Sequence, residues 1–90
     1  EKGLIYAELS KIIPVIGVGY QTLANINQSL NNQEAAILYY NKAMTLFEQN
    51  NLLTNLPPVL IGLSQAYHSN QDSIMAMETI EKSIDVSKKI

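Results

Sequence analysis

The sequence has 90 residues, of which 47% are hydrophobic and 16% charged, with a formal net charge of −2 and no cysteine. The high hydrophobic content excludes an intrinsically disordered chain, and the negative net charge excludes a basic nucleic-acid-binding surface. The lack of cysteine excludes a disulfide framework and a thiolate metal site. A chain of this length forms one small domain, and the lack of cysteine predicts a cytoplasmic protein.

The first predicted helix covers residues 2–13. Ile5 and Leu9 stand at helical spacing in an apolar pattern. Pro14 follows, and a proline disfavours the helical conformation at the residue before it. We therefore expect this helix to end there, with a turn near residues 14–17.

The second predicted helix covers about residues 17–30. Gly17 and Gly19 at its start raise a phosphate-binding loop as an alternative, but a lone G-x-G is a poor predictor and the full G-x-G-x-x-G pattern fails at Thr22. A glycine-eased turn between packed helices is the better interpretation. No run of the sequence is apolar and long enough to span a bilayer, so we expect no membrane partner.

Three further helices are predicted over about residues 33–50, 57–69 and 72–88. Asn32 precedes the first of them as a capping residue, and Pro57 suits the first turn of the second, where a missing N–H costs no helical hydrogen bond. The last helix is the most polar, which predicts an outer edge. The sequence thus predicts an all-α protein of about five helices joined by short turns.

Residue types recur after a spacing of 40 positions. The recurring pairs are Leu23 and Leu63, Ala24 and Ser64, Ala36 and Ala76, Tyr40 and Ile80, and Ala43 and Ser83. Self-similarity at such a period is typical of solenoids, whose units bury their apolar faces against one another. We therefore expect the function to reside on a surface.

These positions resemble the tetratricopeptide repeat, in a long variant whose period is 40 residues instead of about 34. The family's pattern has a leucine and a small residue in the first helix, then an alanine, an aromatic residue and a second alanine in the second helix. The resemblance implies one domain over residues 1–90, built of antiparallel helix-turn-helix repeats. Residues 2–13 would form a half-repeat, residues 17–50 a first full repeat and residues 57–90 a second.

The resemblance also implies a groove whose inner wall is formed by the helices at 17–30 and 57–69, and a protein or peptide as partner. Five polar side chains fall on that wall, and they are our candidate peptide-binding residues: Gln21, Asn25, Gln28, Gln65 and His68. Amides both donate and accept hydrogen bonds, so this stripe suits the backbone of an extended segment. The opposing interpretation is that these residues are solvated side chains of amphipathic helices.

Other functions find less support in the sequence. His68 and Asp72 stand one turn apart, but no second ligand or nucleophile accompanies them, so we expect no metal, no cofactor and no catalysis. The main alternative to peptide binding is self-association through the N-terminal helix. Its apolar residues are too many for one following helix to cover: Leu4, Ile5, Leu9, Ile12 and Ile13.

Overall fold

The structure is a computed structural model that describes the backbone of residues 2–90 and the side chains of residues 12–90. Over this range it has four α-helices, α1 (Lys2–Ser29), α2 (Gln33–Gln49), α3 (Leu56–Ser69) and α4 (Ser73–Lys89), and no strand. One turn of 3-10 helix, Leu53–Asn55, precedes α3. The predicted all-α fold of helix-turn-helix repeats is therefore confirmed, with four helices instead of five.

The difference in number arises at Pro14, where the predicted turn at 14–17 is wrong. Helix α1 continues through this proline without a break. A proline inside a helix removes one hydrogen bond, but a turn here would leave several backbone groups of the apolar stretch without helical partners. The predicted helix 2–13 is thus the first part of α1, and its side chains up to residue 11 lie outside the described ones.

Gly17 and Gly19 also differ from their predicted role as turn residues. Neither Gly17 nor Gly19 has a positive φ, so both are regular helical residues. Gly17 is buried against Phe47, and a Cβ atom at this position would overlap the phenylalanine ring. Its function in the fold is the close approach of α1 and α2.

The backbone repeats with the same 40-residue spacing as the sequence. Helices α1 and α3 end 40 residues apart, and α2 and α4 begin 40 residues apart. Each helix pair is joined by a turn with one left-handed residue, Asn31 (φ 62°) or Gln71 (φ 61°). In both turns the next residue donates its N–H to the carbonyl five residues earlier, at 2.8 Å. The two units therefore share one turn geometry despite different side chains.

Helix α2 packs against both α1 and α3, and α3 in turn packs against α4. The largest fully buried side chains are Tyr40, Phe47, Leu56, Leu60, Leu63 and Val59. Ala36 and Ala43 are fully buried, as expected for small residues at helix contacts. Lys82 on α4 and Glu48 on α2 form an exposed ion pair of 2.7 Å, which contributes at most about 1 kcal/mol.

Candidate groove and tyrosine network

A cavity of about 680 Å³ lies where α3 and α4 meet, beside the end of α1. One side is polar and formed mainly by α3, and the other is apolar and formed by α4. Its lining consists of Gln28, Ser64, Gln65, His68, Ser69, Ser73, Ala76, Met77 and Ile80. None of these side chains is an acid, a lysine or an arginine, so the cavity offers neutral hydrogen-bonding groups beside an apolar surface.

Three of the five candidate residues, Gln28, Gln65 and His68, lie together in this cavity. Gln65 and His68 are exposed and Gln28 is half-buried. Gln21 and Asn25 are not part of its lining, although they share a stripe with Gln28. The stripe is therefore divided along the helix, and only its C-terminal end reaches the cavity.

The apolar side of the cavity was not predicted as part of the site. Met77 and Ile80 on α4 are 64% and 48% exposed, although both are large apolar residues. A signal for this surface was present in the sequence, since Ile80 is the counterpart of the aromatic residue Tyr40. The expectation of a groove walled by only the first helix of each repeat left α4 out.

Asn25 has a partner within the fold. The Tyr40 hydroxyl donates a hydrogen bond to the Asn25 side-chain oxygen and lies 3.1 Å from the side-chain oxygen of Gln28. The Tyr40 side chain is 1% exposed, and burial raises its pKa above the ordinary value. Asn25 and Gln28 thus hold a phenol at the junction of α1 and α2.

Helix α3 covers this phenol with a glycine. A Cβ atom built on Gly62 would lie 2.6 Å from Tyr40 Cζ and 2.7 Å from its hydroxyl oxygen, well inside van der Waals contact. Gly62 is buried and helical, so the glycine is needed for space and not for an unusual φ. The phenol is therefore enclosed by α1 on one side and by the α3 backbone on the other.

A second cavity, of about 430 Å³, lies on a different face of α2 and contains Tyr20 and Lys42. Tyr20 stacks on Tyr39 with ring centroids 6.3 Å apart, and the Lys42 ammonium lies 5.7 Å from both centroids. Neither Tyr39 nor Lys42 is among the candidate residues predicted from the sequence. The Lys42 ammonium and the two rings form a cation–π cluster, so this lysine packs against the surface of the fold instead of extending freely into solvent.

No group of three or more histidine, cysteine, aspartate or glutamate side chains could hold a metal ion in the part of the chain that the structure describes. None of the described helices is both long enough and apolar enough to cross a bilayer.

Comparison with known proteins gives one finding. A family model described as tetratricopeptide repeat matches residues 19–50 and 57–90. The first segment contains α2 with the end of α1, and the second contains α3 and α4. Neither the search of curated proteins nor that of solved structures gave a match. Because the matched segments make up most of the chain, it belongs to the tetratricopeptide repeat family, whose repeats generally mediate protein–protein interaction.

Proposed function

We propose that this protein is a non-enzymatic module that binds an extended peptide segment in the cavity between α3 and α4. The observation that supports it most is the arrangement of Gln28, Gln65 and His68 beside the exposed apolar residues Met77 and Ile80. The polar groups suit a peptide backbone, and the apolar surface suits one of its side chains. Repeats of this family are non-catalytic scaffolds, which agrees with a binding role.

Two of the candidate residues have a different place in this proposal. Asn25 supports the groove indirectly, because it binds the Tyr40 hydroxyl and its replacement disturbs the core. Gln21 lies further along α1 and would contact only a ligand that extends beyond the cavity. The organisation into repeats at 17–50 and 57–90 and a cytoplasmic location remain predictions.

The test is a peptide-library screen followed by binding assays with two matched variants. Gln65→Ala should weaken the best peptide by roughly 2- to 12-fold, the equivalent of one net hydrogen bond. Gln49→Ala is the control, because Gln49 is also an exposed glutamine but lines the second cavity. Equal binding by Gln65→Ala and the unchanged protein, or a loss with Gln49→Ala alone, would move the site away from this groove.

Self-association is the second candidate function. It is supported by apolar side chains that α1 exposes along its described part: Ile12, Val15, Ile16, Val18, Leu23 and Ile26. Val15, in the middle of α1, is 70% exposed, and a run of exposed apolar residues along one helix is typical of a protein-interaction surface. This candidate uses α1 and leaves the cavity between α3 and α4 free, so the two functions are compatible.

A further inference from the structure

Ile80 occupies in the second repeat the position that Tyr40 occupies in the first. The two residues are separated by the same 40 positions that relate α2 to α4. Tyr40 is 1% exposed, whereas Ile80 is 48% exposed and lines the cavity. In the first repeat α3 packs over Tyr40 at Gly62, whereas over Ile80 the described residues leave the cavity open.

The polar groups that bind this phenol are also repeated. Asn25 and Gln28 contact the Tyr40 hydroxyl, and their counterparts after 40 positions are Gln65 and His68. Both counterparts line the open cavity. An amide and an imidazole each donate and accept hydrogen bonds, as the two amides do. The second repeat thus retains groups able to bind a hydroxyl but has no hydroxyl of its own at this place.

The remaining walls of the cavity suit an aromatic ring. Ala76 is buried at its base, as its counterpart Ala36 is in the first repeat. Met77 is 64% exposed at the side, and a thioether makes favourable contacts with aromatic rings. The volume of about 680 Å³ lies within the usual range of ligand sites and leaves room for the peptide that carries the ring.

We propose that the cavity binds the tyrosine side chain of a partner peptide, with its ring on Ile80 and its hydroxyl between Gln65 and His68. The proposal rests on the peptide-binding function above and names the side chain that the groove selects. The lining contains no lysine or arginine. A neutral phenol is therefore favoured, and a phosphorylated tyrosine would lack a cationic partner.

The test uses the full chain with N-acetyl-L-tyrosinamide and N-acetyl-L-phenylalaninamide as probes, followed by nuclear magnetic resonance titration. The tyrosine probe should bind roughly 2- to 12-fold more tightly, as expected for one net hydrogen bond, and should shift the amides of Ala76, Met77 and Ile80. A third probe, the O-phosphorylated form of N-acetyl-L-tyrosinamide, should bind more weakly than either. Equal affinities of the first two probes, or shifts centred on Tyr20 and Lys42, would overturn the proposal.

Variants of the cavity give a second test. Ile80→Tyr should fill the pocket with the residue of the first repeat and abolish binding of the tyrosine probe, whereas Ile80→Leu should retain it. Gln65→Leu should keep ring binding and reduce the preference for tyrosine over phenylalanine. An unchanged preference in Gln65→Leu, or undiminished binding to Ile80→Tyr, contradicts the assignment.

The outcome is separable from that of the proposed function. If library peptides bind through Gln65 but show no preference for tyrosine, the tyrosine pocket is wrong and the groove remains. If the tyrosine probe binds in the cavity while no extended peptide does, the pocket remains and the groove function is wrong. Loss of the probe's shifts as the protein concentration rises would show that a second copy of the chain covers the cavity, which would also overturn the proposal.

Discussion

Replacing Gly62 by alanine tests the packing on which the tyrosine network depends. The added Cβ would lie 2.6 Å from Tyr40 Cζ and 2.7 Å from its Cε1 and hydroxyl atoms. The ring has little freedom to move, because it is buried and its hydroxyl is held by Asn25 and Gln28. Either the ring or the α3 backbone must therefore shift.

The expected change in the free energy of unfolding follows from two destabilising effects and one stabilising effect. Overpacking of a buried contact costs about 1–3 kcal/mol, and disturbing the phenol's hydrogen bonds costs about 0.5–1.5 kcal/mol. Against these, alanine is a better helix former than glycine by about 1 kcal/mol. We expect Gly62→Ala to lower the free energy of unfolding by about 1–3 kcal/mol.

Gly19→Ala is the matched control for this change. Gly19 is also helical, but a Cβ atom there would meet nothing within 4 Å. Only the helix-propensity term applies, so this variant should be more stable by about 0.5–1 kcal/mol. Urea denaturation followed by circular dichroism measures both changes. If Gly62→Ala is as stable as Gly19→Ala, the close contact between Gly62 and Tyr40 is wrong. In a Tyr40→Leu background, the loss of stability caused by Gly62→Ala should largely disappear.

Two further predictions concern pH and assembly. Burial raises the Tyr40 pKa, so the stabilising contribution of the neutral phenol is complete below the ordinary pKa of about 10 and is lost as pH rises through the raised pKa. In urea melts at alkaline pH, Tyr40→Phe should therefore lose stability less steeply with pH than the unchanged protein. Identical slopes of unfolding free energy against pH would contradict this. Sedimentation equilibrium should show mass rising with concentration, less so in Ile26→Ser than in the equally exposed control Leu38→Ser on α2; a constant monomer mass would exclude self-association.

The helical repeat could be predicted because its determinants are local. Asparagine tolerates a left-handed conformation, and Asn31 adopts it in the turn where the sequence predicted one. The counterpart Gln71 adopts the same conformation without such a preference. Its position follows from the spacing of 40 residues, since the flanking helices must end and begin at equivalent places to pack in the same way.

The continuation of α1 through Pro14 could not be predicted from local rules. A proline weakens a helix at its own position and disfavours helix at the residue before it, and these effects alone predict a break. A contribution that local rules do not include comes from elsewhere in the chain, because the burial of Gly17 against Phe47 involves residues 30 positions apart. Propensity at one residue is commonly overridden by packing of this kind.

Only part of the candidate site could be predicted from the sequence, because the rest depends on packing between helices. Helical periodicity placed Gln28 on one stripe and, through the repeat, Gln65 and His68 on another, and these three meet in the cavity. Periodicity does not reveal which polar residues are bound within the fold, and Asn25 is bound to Tyr40. Nor does it show that α4 contributes Met77 and Ile80, because that depends on how far the two helices diverge.

The replacement of Tyr40 in the first repeat by Ile80 in the second distinguishes a position that the fold uses for packing from one that is open to a partner. The fold has three requirements: the turn between the helices, a small residue at position 36 or 76, and a covered apolar surface. Both repeats satisfy the first two. At Tyr40 the third is met by the phenol, its two amides and Gly62, so the contact is internal. At Ile80 the same framework stays open, with hydrogen-bonding groups already in position. Under the proposal made above, a partner that supplies a ring completes an arrangement the chain already contains, and groups that are already in place reduce the ordering that binding requires.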